Sequence, residues 1–159
     1  MSDPSITISP LKAVDVTVAA ELLLAQLREH EIPVGLAHVT RRMQQAVASG
    51  EPLVLLAHEG ATAVGVAYVS FAQPLEHVGT VTWLEELYVR PASRGRGFGA
   101  RLLAAVRAEA EARGCVAVEL ETKRGHERAG NLYRRAGFRD LGRTHYALPL
   151  AAWDWSPLG

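Results

Sequence analysis

The sequence predicts one α+β domain built on a mixed sheet, and three observations carry that reading. Short β-rich runs and longer stretches with helical periodicity follow one another in the order βααβββαβαββ. Two apolar runs, LVLLAH and VGVAYVSF, are separated only by a short Gly-containing segment, the pattern of an antiparallel hairpin. No linker, internal repeat or low-complexity tract interrupts the 159 residues, a length suited to one domain with a substantial core.

Taken in order, Ser5–Leu11 (SITISPL) alternates and reads as a first strand. Asp15 caps a helix to about His30, with Val18, Leu22 and Ala25 on its apolar face. Pro33 and Gly35 break it. Thr40 caps a second helix to about Ser49, and Gly50 ends it. The hairpin strands cover Leu53–His58 and Val64–Phe71, and Thr80–Val89 (TVTWLEELYV) is the longest strand candidate, stopped by Pro91. Gly99–Arg113 is the clearest helix: Leu103, Val106 and Ala110 share a face, and Gly114 is its stop. Val116–Glu121 is a strand, Glu127–Arg135 a short helix ended at Gly137, and Phe138–Leu141 with Thr144–Leu150 a closing strand pair. Residues 151–159 (AAWDWSPLG) form a tail whose Trp153 and Trp155 are expected to cover a sheet edge or a dimer contact.

Lys plus Arg number 17 and Asp plus Glu 17, so the net charge is zero and nothing suggests a nucleic-acid partner. No apolar run approaches the ~20 residues of a membrane helix, and the first residues lack the basic-then-apolar pattern of a signal peptide. A single cysteine, Cys115, cannot form an internal disulfide, and a cytoplasmic setting fits. Cys115 follows a helix-stopping glycine and reads as a buried, inert thiol. His30, His38, His58, His77 and His145 show no metal spacing, so no metal is expected.

The informative segment is RGRGFG, Arg94–Gly99, between a strand-like and a helix-like run. Backbone N–H groups in the first turn of a helix have no partner within it, the helix dipole adds positive character, and glycines lack the Cβ atoms that would hold a ligand away. Such a turn takes a phosphate or diphosphate, and Arg94 and Arg96 add charge; the bland alternative is a tight turn with solvated arginines. Gly95, Gly97 and Ala100 satisfy the dinucleotide pattern G-x-G-x-x-G/A, with Glu119 or Glu121 ending the next strand. That reading lacks context, because the preceding hairpin is antiparallel and too little chain follows for further βαβ units.

Read instead as R-x-x-G-x-G through Arg94, Gly97 and Gly99, the stretch LEELYVRPASRGRGFGARLL resembles the acetyl-CoA motif of the GNAT superfamily of N-acetyltransferases. AGNLYRRAGF resembles that family's second signature, and the element order from Ser5 to Leu150 is similar as well. The resemblance implies a mostly antiparallel sheet of about six or seven strands, flanked by about four helices, with a splayed central strand pair. It implies a single N-acetyltransferase domain over residues 1–159, acetyl-CoA as cosubstrate and direct transfer to an amine in a ternary complex. The pantetheine arm would lie along Leu87, Tyr88 and Val89 as an added strand, with an N–H of Leu87 or Val89 polarising the thioester carbonyl. The diphosphate would rest on the amides from Gly95 through Arg96, Gly97, Phe98 and Gly99 to Ala100.

An alkylamine has a pKa of about 10 and arrives protonated, so a base is needed. Glu85 and Glu86 are the candidates, and alternation sends only one of them to the cleft. Glu85 aligns with the LED glutamate of spermidine/spermine-type acetyltransferases; a bulge would switch the faces and bring in Glu86. The plain alternative for either is a solvated strand carboxylate. By resemblance Tyr133 protonates the departing thiolate, against packing as a core aromatic. Many relatives carry a pantetheine-binding asparagine seven residues before that tyrosine; here the position is His126, and Asn131 lies nearer. Trp83 lines the acceptor pocket or fills the core. Glu29, Glu31, Glu76 and Glu85 offer negative charge to a cationic small-molecule amine, polyamine-like by the resemblance, and a homodimer is expected. An aminoglycoside, an amino acid or a protein N-terminus remains open as acceptor. A non-catalytic acyl-CoA-binding module is the rival from another class.

Overall fold

The computed structural model describes residues 5–150. Five strands lie in sequence order across one sheet: β1 (Ile6–Pro10), β2 (Leu53–Glu59), β3 (Thr62–Ala72), β4 (Val81–Val89) and β5 (Ala117–Leu120). The first four pair antiparallel, and β4 pairs β5 parallel. Helices α1 (Val16–Glu29) and α2 (Leu36–Ser49) connect β1 to β2, α3 (Phe98–Ala112) makes the β4–β5 crossover, and α4 (Glu127–Arg135) follows β5.

The sheet is packed on both faces. Leu22 and Leu23 of α1 and Val39 and Met43 of α2 cover Val54, Leu56, Val66 and Tyr88. On the other face Phe98, Leu102 and Val106 of α3 cover Leu55, Ala67, Val69 and Leu84. Strand β2 is therefore buried on both sides, which explains its unbroken apolar run. Each fully buried Leu, Val or Phe contributes about 1.5–3 kcal/mol by leaving water.

Glycine sets two boundaries directly. Gly50 closes α2 at φ 74°, its N–H donating to the Ala46 carbonyl at 2.9 Å. Gly137, at φ 92°, turns the chain after α4 so that Phe138 packs on Tyr133, with ring centroids 5.8 Å apart.

Two element expectations are corrected. Helix α2 begins at Leu36, not Thr40, because Gly35 takes the cap position and Val39 joins the buried stripe with Met43 and Ala46. The closing strands at Phe138–Leu141 and Thr144–Leu150 do not form, so among the described residues the sheet has five strands rather than six or seven. The β-rich alternation there has no core to face: Leu141, Tyr146, Leu148 and Leu150 are exposed. That segment is held by polar ties instead, Arg143 to Glu76 at 2.6 Å and His145 to Glu121. Trp153 and Trp155 lie outside the described residues. Among the described residues, no helix is long and apolar enough to cross a membrane.

Candidate active site

The sheet opens beside β4. Its ladder with β5 runs from Val81↔Ala117 to Leu84↔Leu120 and stops, while β4 continues to Val89. Residues 85–89 thus have β3 on one side and, among the described residues, no strand on the other. The Arg90 N–H donates to the Val64 carbonyl on β3 at 2.8 Å. Backbone groups alternate sides along a strand, so the amides of Leu87 and Val89 point to the open edge.

A β-bulge decides which glutamate faces inward. Tyr68 pairs with Glu86 and Val69 with Leu84, leaving Glu85 as the extra residue. Leu84 and Leu87, three positions apart, consequently pack in the same apolar cluster under α3. Glu85 is exposed, and Glu86 is half-buried on the face of Tyr68 and Tyr88. Burial, and then the neighbouring Glu85 charge, push the Glu86 carboxyl up to about 7.

Tyr133 of α4 is half-buried among Leu132, Phe138 and the α3-side core. Burial first, and the Glu86 charge second, raise its pKa, so the phenol keeps its proton at neutral pH. Tyr68 is raised by burial and by Glu85 and Glu86, with Arg42 opposing. Glu86 thus lies within electrostatic reach of two phenols, one on β3 and one on α4. Tyr68 escapes a reading of the sequence, since only the bulged register sets it opposite Glu86.

The glycine-rich turn is an open donor surface. Gly95 has φ 77° and Gly97, the residue capping α3, has φ 83°, left-handed angles that favour glycine. A Cβ at either would meet nothing within 4 Å, so the backbone angle, not crowding, demands glycine. No side chain caps the first turn of α3. Gly99 fits against Leu132, its would-be Cβ 3.4 Å from a methyl of that side chain, and Ala100 is exposed.

The side chains around this turn differ from expectation. Arg94 donates to the Val89 carbonyl and to Glu29, and Arg96 pairs with Glu59. Neither guanidinium stands ready as simple added charge over the turn. Phe98 is 1% exposed in the core, so only its backbone can meet a ligand. His126 precedes α4 and its ring meets that of His30. Asn131 is exposed, its amide oxygen accepting from Arg134 at 2.7 Å, on a different side of α4 from the packed Tyr133.

Trp83 is half-buried opposite Glu119 on β5. Glu119 lies 2.7 Å from His77, and Glu121 pairs with His145. With three of four strand pairings antiparallel, these acids do not end strands of a parallel nucleotide-binding sheet. Cys115 is half-buried rather than fully buried, since it lies just past the turn that ends α3. A shallow groove between α1 and α2, lined by Val16, Thr17, Gln44 and Val47 among others, holds no titratable side chain and lies apart from the opening. Among the described residues, no three His, Cys, Asp or Glu side chains group to hold a metal.

A strand parted from its neighbour beside an uncapped, glycine-rich helix start is the arrangement that the family resemblance implied. Residues 20–138 match the acetyltransferase (GNAT) family. The chain belongs to that family. This GNAT protein is 29% identical over 103 residues to YhfO, an uncharacterised N-acetyltransferase of Bacillus subtilis, covering 64% of this chain and 69% of that one. It is 32% identical over 94 residues to the thialysine N-epsilon-acetyltransferase of Sus scrofa, covering 59% of this chain and about half, 51%, of that relative. Its fold matches the aminoglycoside N-acetyltransferase AAC(6')-Iy, solved in complex with CoA, at TM-score 0.82 and 17% identity over 92% of this chain and 96% of that one.

As a GNAT enzyme it is an acyltransferase with acetyl-CoA as its cosubstrate. The residues present fit that donor. Along the open edge of β4 the Leu87 and Val89 amides face an amide-bearing arm while the Val89 carbonyl accepts from Arg94, and the uncapped amides at the start of α3 suit an anion.

Proposed function

We propose that this chain transfers the acetyl group of acetyl-CoA to a primary amine of a small cationic molecule, with Glu86 as general base and Tyr133 as general acid. One observation carries the reading. Where β4 parts from β5, the bulge turns Glu86 inward, and a carboxyl near 7 and a protonated phenol feel one another there.

The bound donor supplies an activated thioester carbonyl. The amides of Leu87 and Val89 orient the arm and can donate to the carbonyl oxygen. Amides from Gly95 to Ala100 hold the diphosphate, with Gly97 and Gly99 setting the backbone. Glu86 removes a proton from the incoming ammonium, directly or through one water, and a base near 7 is far better matched to neutral pH than an ordinary carboxylate. Tyr133 holds a proton at Oη for the departing thiolate. Exposed Glu85, with Glu31, attracts the cationic acceptor.

A relative that acetylates thialysine is compatible with an amine on a flexible chain, and polyamines belong to that chemical class. Among the described residues β5 is an edge strand of the sheet, and with the exposed Tyr146, Leu148 and Leu150 this supports a homodimer. A single cysteine fits a reducing compartment such as the cytoplasm.

The test is free-thiol release from acetyl-CoA over a panel of mono-, di- and polyamines, amino acids, aminoglycosides and peptides. Glu86→Gln and Tyr133→Phe should each lower kcat by about 10²-fold or more while CoA affinity is retained. In the parent, kcat/KM should rise through an inflection near pH 7 that Glu86→Gln abolishes, because the base works only when ionised. CoA binding without turnover on any amine would make the protein a binding module instead.

A further inference from the structure

We propose that Arg94 and Glu29 are positioning residues, a clasp that fixes the last turn of α1 across the open edge of β4 and holds the donor cleft at its working width. The proposal rests on the acetyl-CoA reading above. It differs from the role that the R-x-x-G-x-G pattern suggests, in which Arg94 lends its charge to the diphosphate.

The contacts of Arg94 use two sides of its fork. Nε donates to the Val89 carbonyl at 2.8 Å, and Nη2 donates to both carboxylate oxygens of Glu29 at 2.9 and 3.1 Å. The guanidinium also lies over the Tyr88 ring, 5.3 Å from its centroid. One side chain therefore holds the last residue of the open strand, its buried aromatic neighbour and the last residue of α1. Lysine cannot reproduce this, because an ammonium is a point charge without the planar fork.

Glu29 is otherwise poorly placed. As the final residue of α1 it puts a negative charge at the negative end of the helix dipole. Arg94, 65 residues away in sequence, supplies the compensating cation. The next residue extends the tie. The His30 ring meets the His126 ring edge-on, centroids 5.7 Å apart, and His126 is the residue capping α4. The end of α1 thus reaches the glycine-rich turn through Arg94 and the start of α4 through His30.

The physical need for such a tie follows from the parted strands. Where the β4–β5 ladder stops at Leu84, no backbone hydrogen bonds among the described residues fix the distance between β4 and the chain beyond β5. A cleft that must admit a linear arm yet keep one width needs cross-links outside the ladder. The last turn of α1, tied at both lips, supplies them.

The test compares CoA affinity and steady-state kinetics of the parent with Glu29→Gln, Arg94→Gln, Arg94→Lys and the Glu29→Gln/Arg94→Gln double variant. Each single substitution should raise the Kd for CoA and the KM for acetyl-CoA by roughly tenfold, with kcat at saturating donor within about twofold. The double variant should bind no worse than the weaker single, and Arg94→Lys should not rescue. The KM penalty should persist with acetyl-pantetheine, which lacks the diphosphate. If Arg94→Gln weakens CoA while Glu29→Gln leaves it unchanged or tighter, and the Arg94 penalty vanishes with acetyl-pantetheine, Arg94 is a diphosphate ligand and the clasp is wrong.

Amide hydrogen exchange of the free protein reads the clasp independently of activity. Both single variants should speed exchange at residues 30–34 and 94–97 and leave the middle of α3 protected. Unchanged exchange in both overturns the clasp even if the parent is active. A parent that binds no CoA, with exchange accelerated in both variants, overturns the acetyl-CoA reading and leaves the clasp standing.

Discussion

Glu86 shows how one side chain is set by its surroundings. Burial and the adjacent Glu85 charge raise its folded pKa to about 7, above the 4.5 of an unperturbed carboxyl. Between those values the native state binds more protons than the unfolded chain, so this residue makes stability fall as pH rises through that window. Glu86→Gln should therefore stabilise the fold at pH 8 by about 1–3 kcal/mol and change little at pH 4, measured by urea unfolding at both pH values. Equal effects at the two pH values would mean that the carboxyl is not buried as charge. The adjacent acids are visible in LEELYV, and so is the prospect of a bulge. Whether Glu85 or Glu86 faces inward is not, because side-chain alternation reverses with one inserted residue and the insertion is a property of the pairing with β3.

At the scale of elements, close approach matters as much as propensity. Gly65 lies on β3 opposite Val89, and a Cβ there would stand 3.0 Å from a Leu102 methyl and 3.0 Å from the Tyr88 carbonyl oxygen. Gly65→Ala should cost about 1–3 kcal/mol by pushing α3 off the sheet at the end of the opening, and should weaken CoA binding with it; unfolding curves and calorimetric titration check both. Helix α4 is legible to the residue, since its polar and apolar sides separate cleanly and Gly137 ends it. The start of α2 is not, because Thr40 is as good a cap by type as Gly35, and only burial of Val39 shows that the helix has already begun. The chain after Phe138 carries strand-like residues with no face to bury, and β-propensity without a packing partner decides little.

At the scale of the molecule, the exposed apolar side chains beyond α4 bear on assembly. The chain should sediment at twice its monomer mass at micromolar concentration, and Tyr146→Glu with Leu148→Glu should return it to monomer without loss of α3 protection. Monomeric parent protein would remove the dimer from the proposal. The element order through α4, the family, the glycine-rich turn and the acids paired with a helix tyrosine as the place to look are all readable along the chain. These are local: they depend on periodicity, on backbone angles only glycine adopts readily, and on motif spacing along the chain. Folding alone sets the parting of β4 from β5 at Leu84, the inward turn of Glu86 rather than Glu85, the place of Tyr68 opposite it, and the binding of the Arg94 fork to Val89 and Glu29. Each depends on register or on contact between residues far apart in sequence, and neither is encoded in any short window of residues.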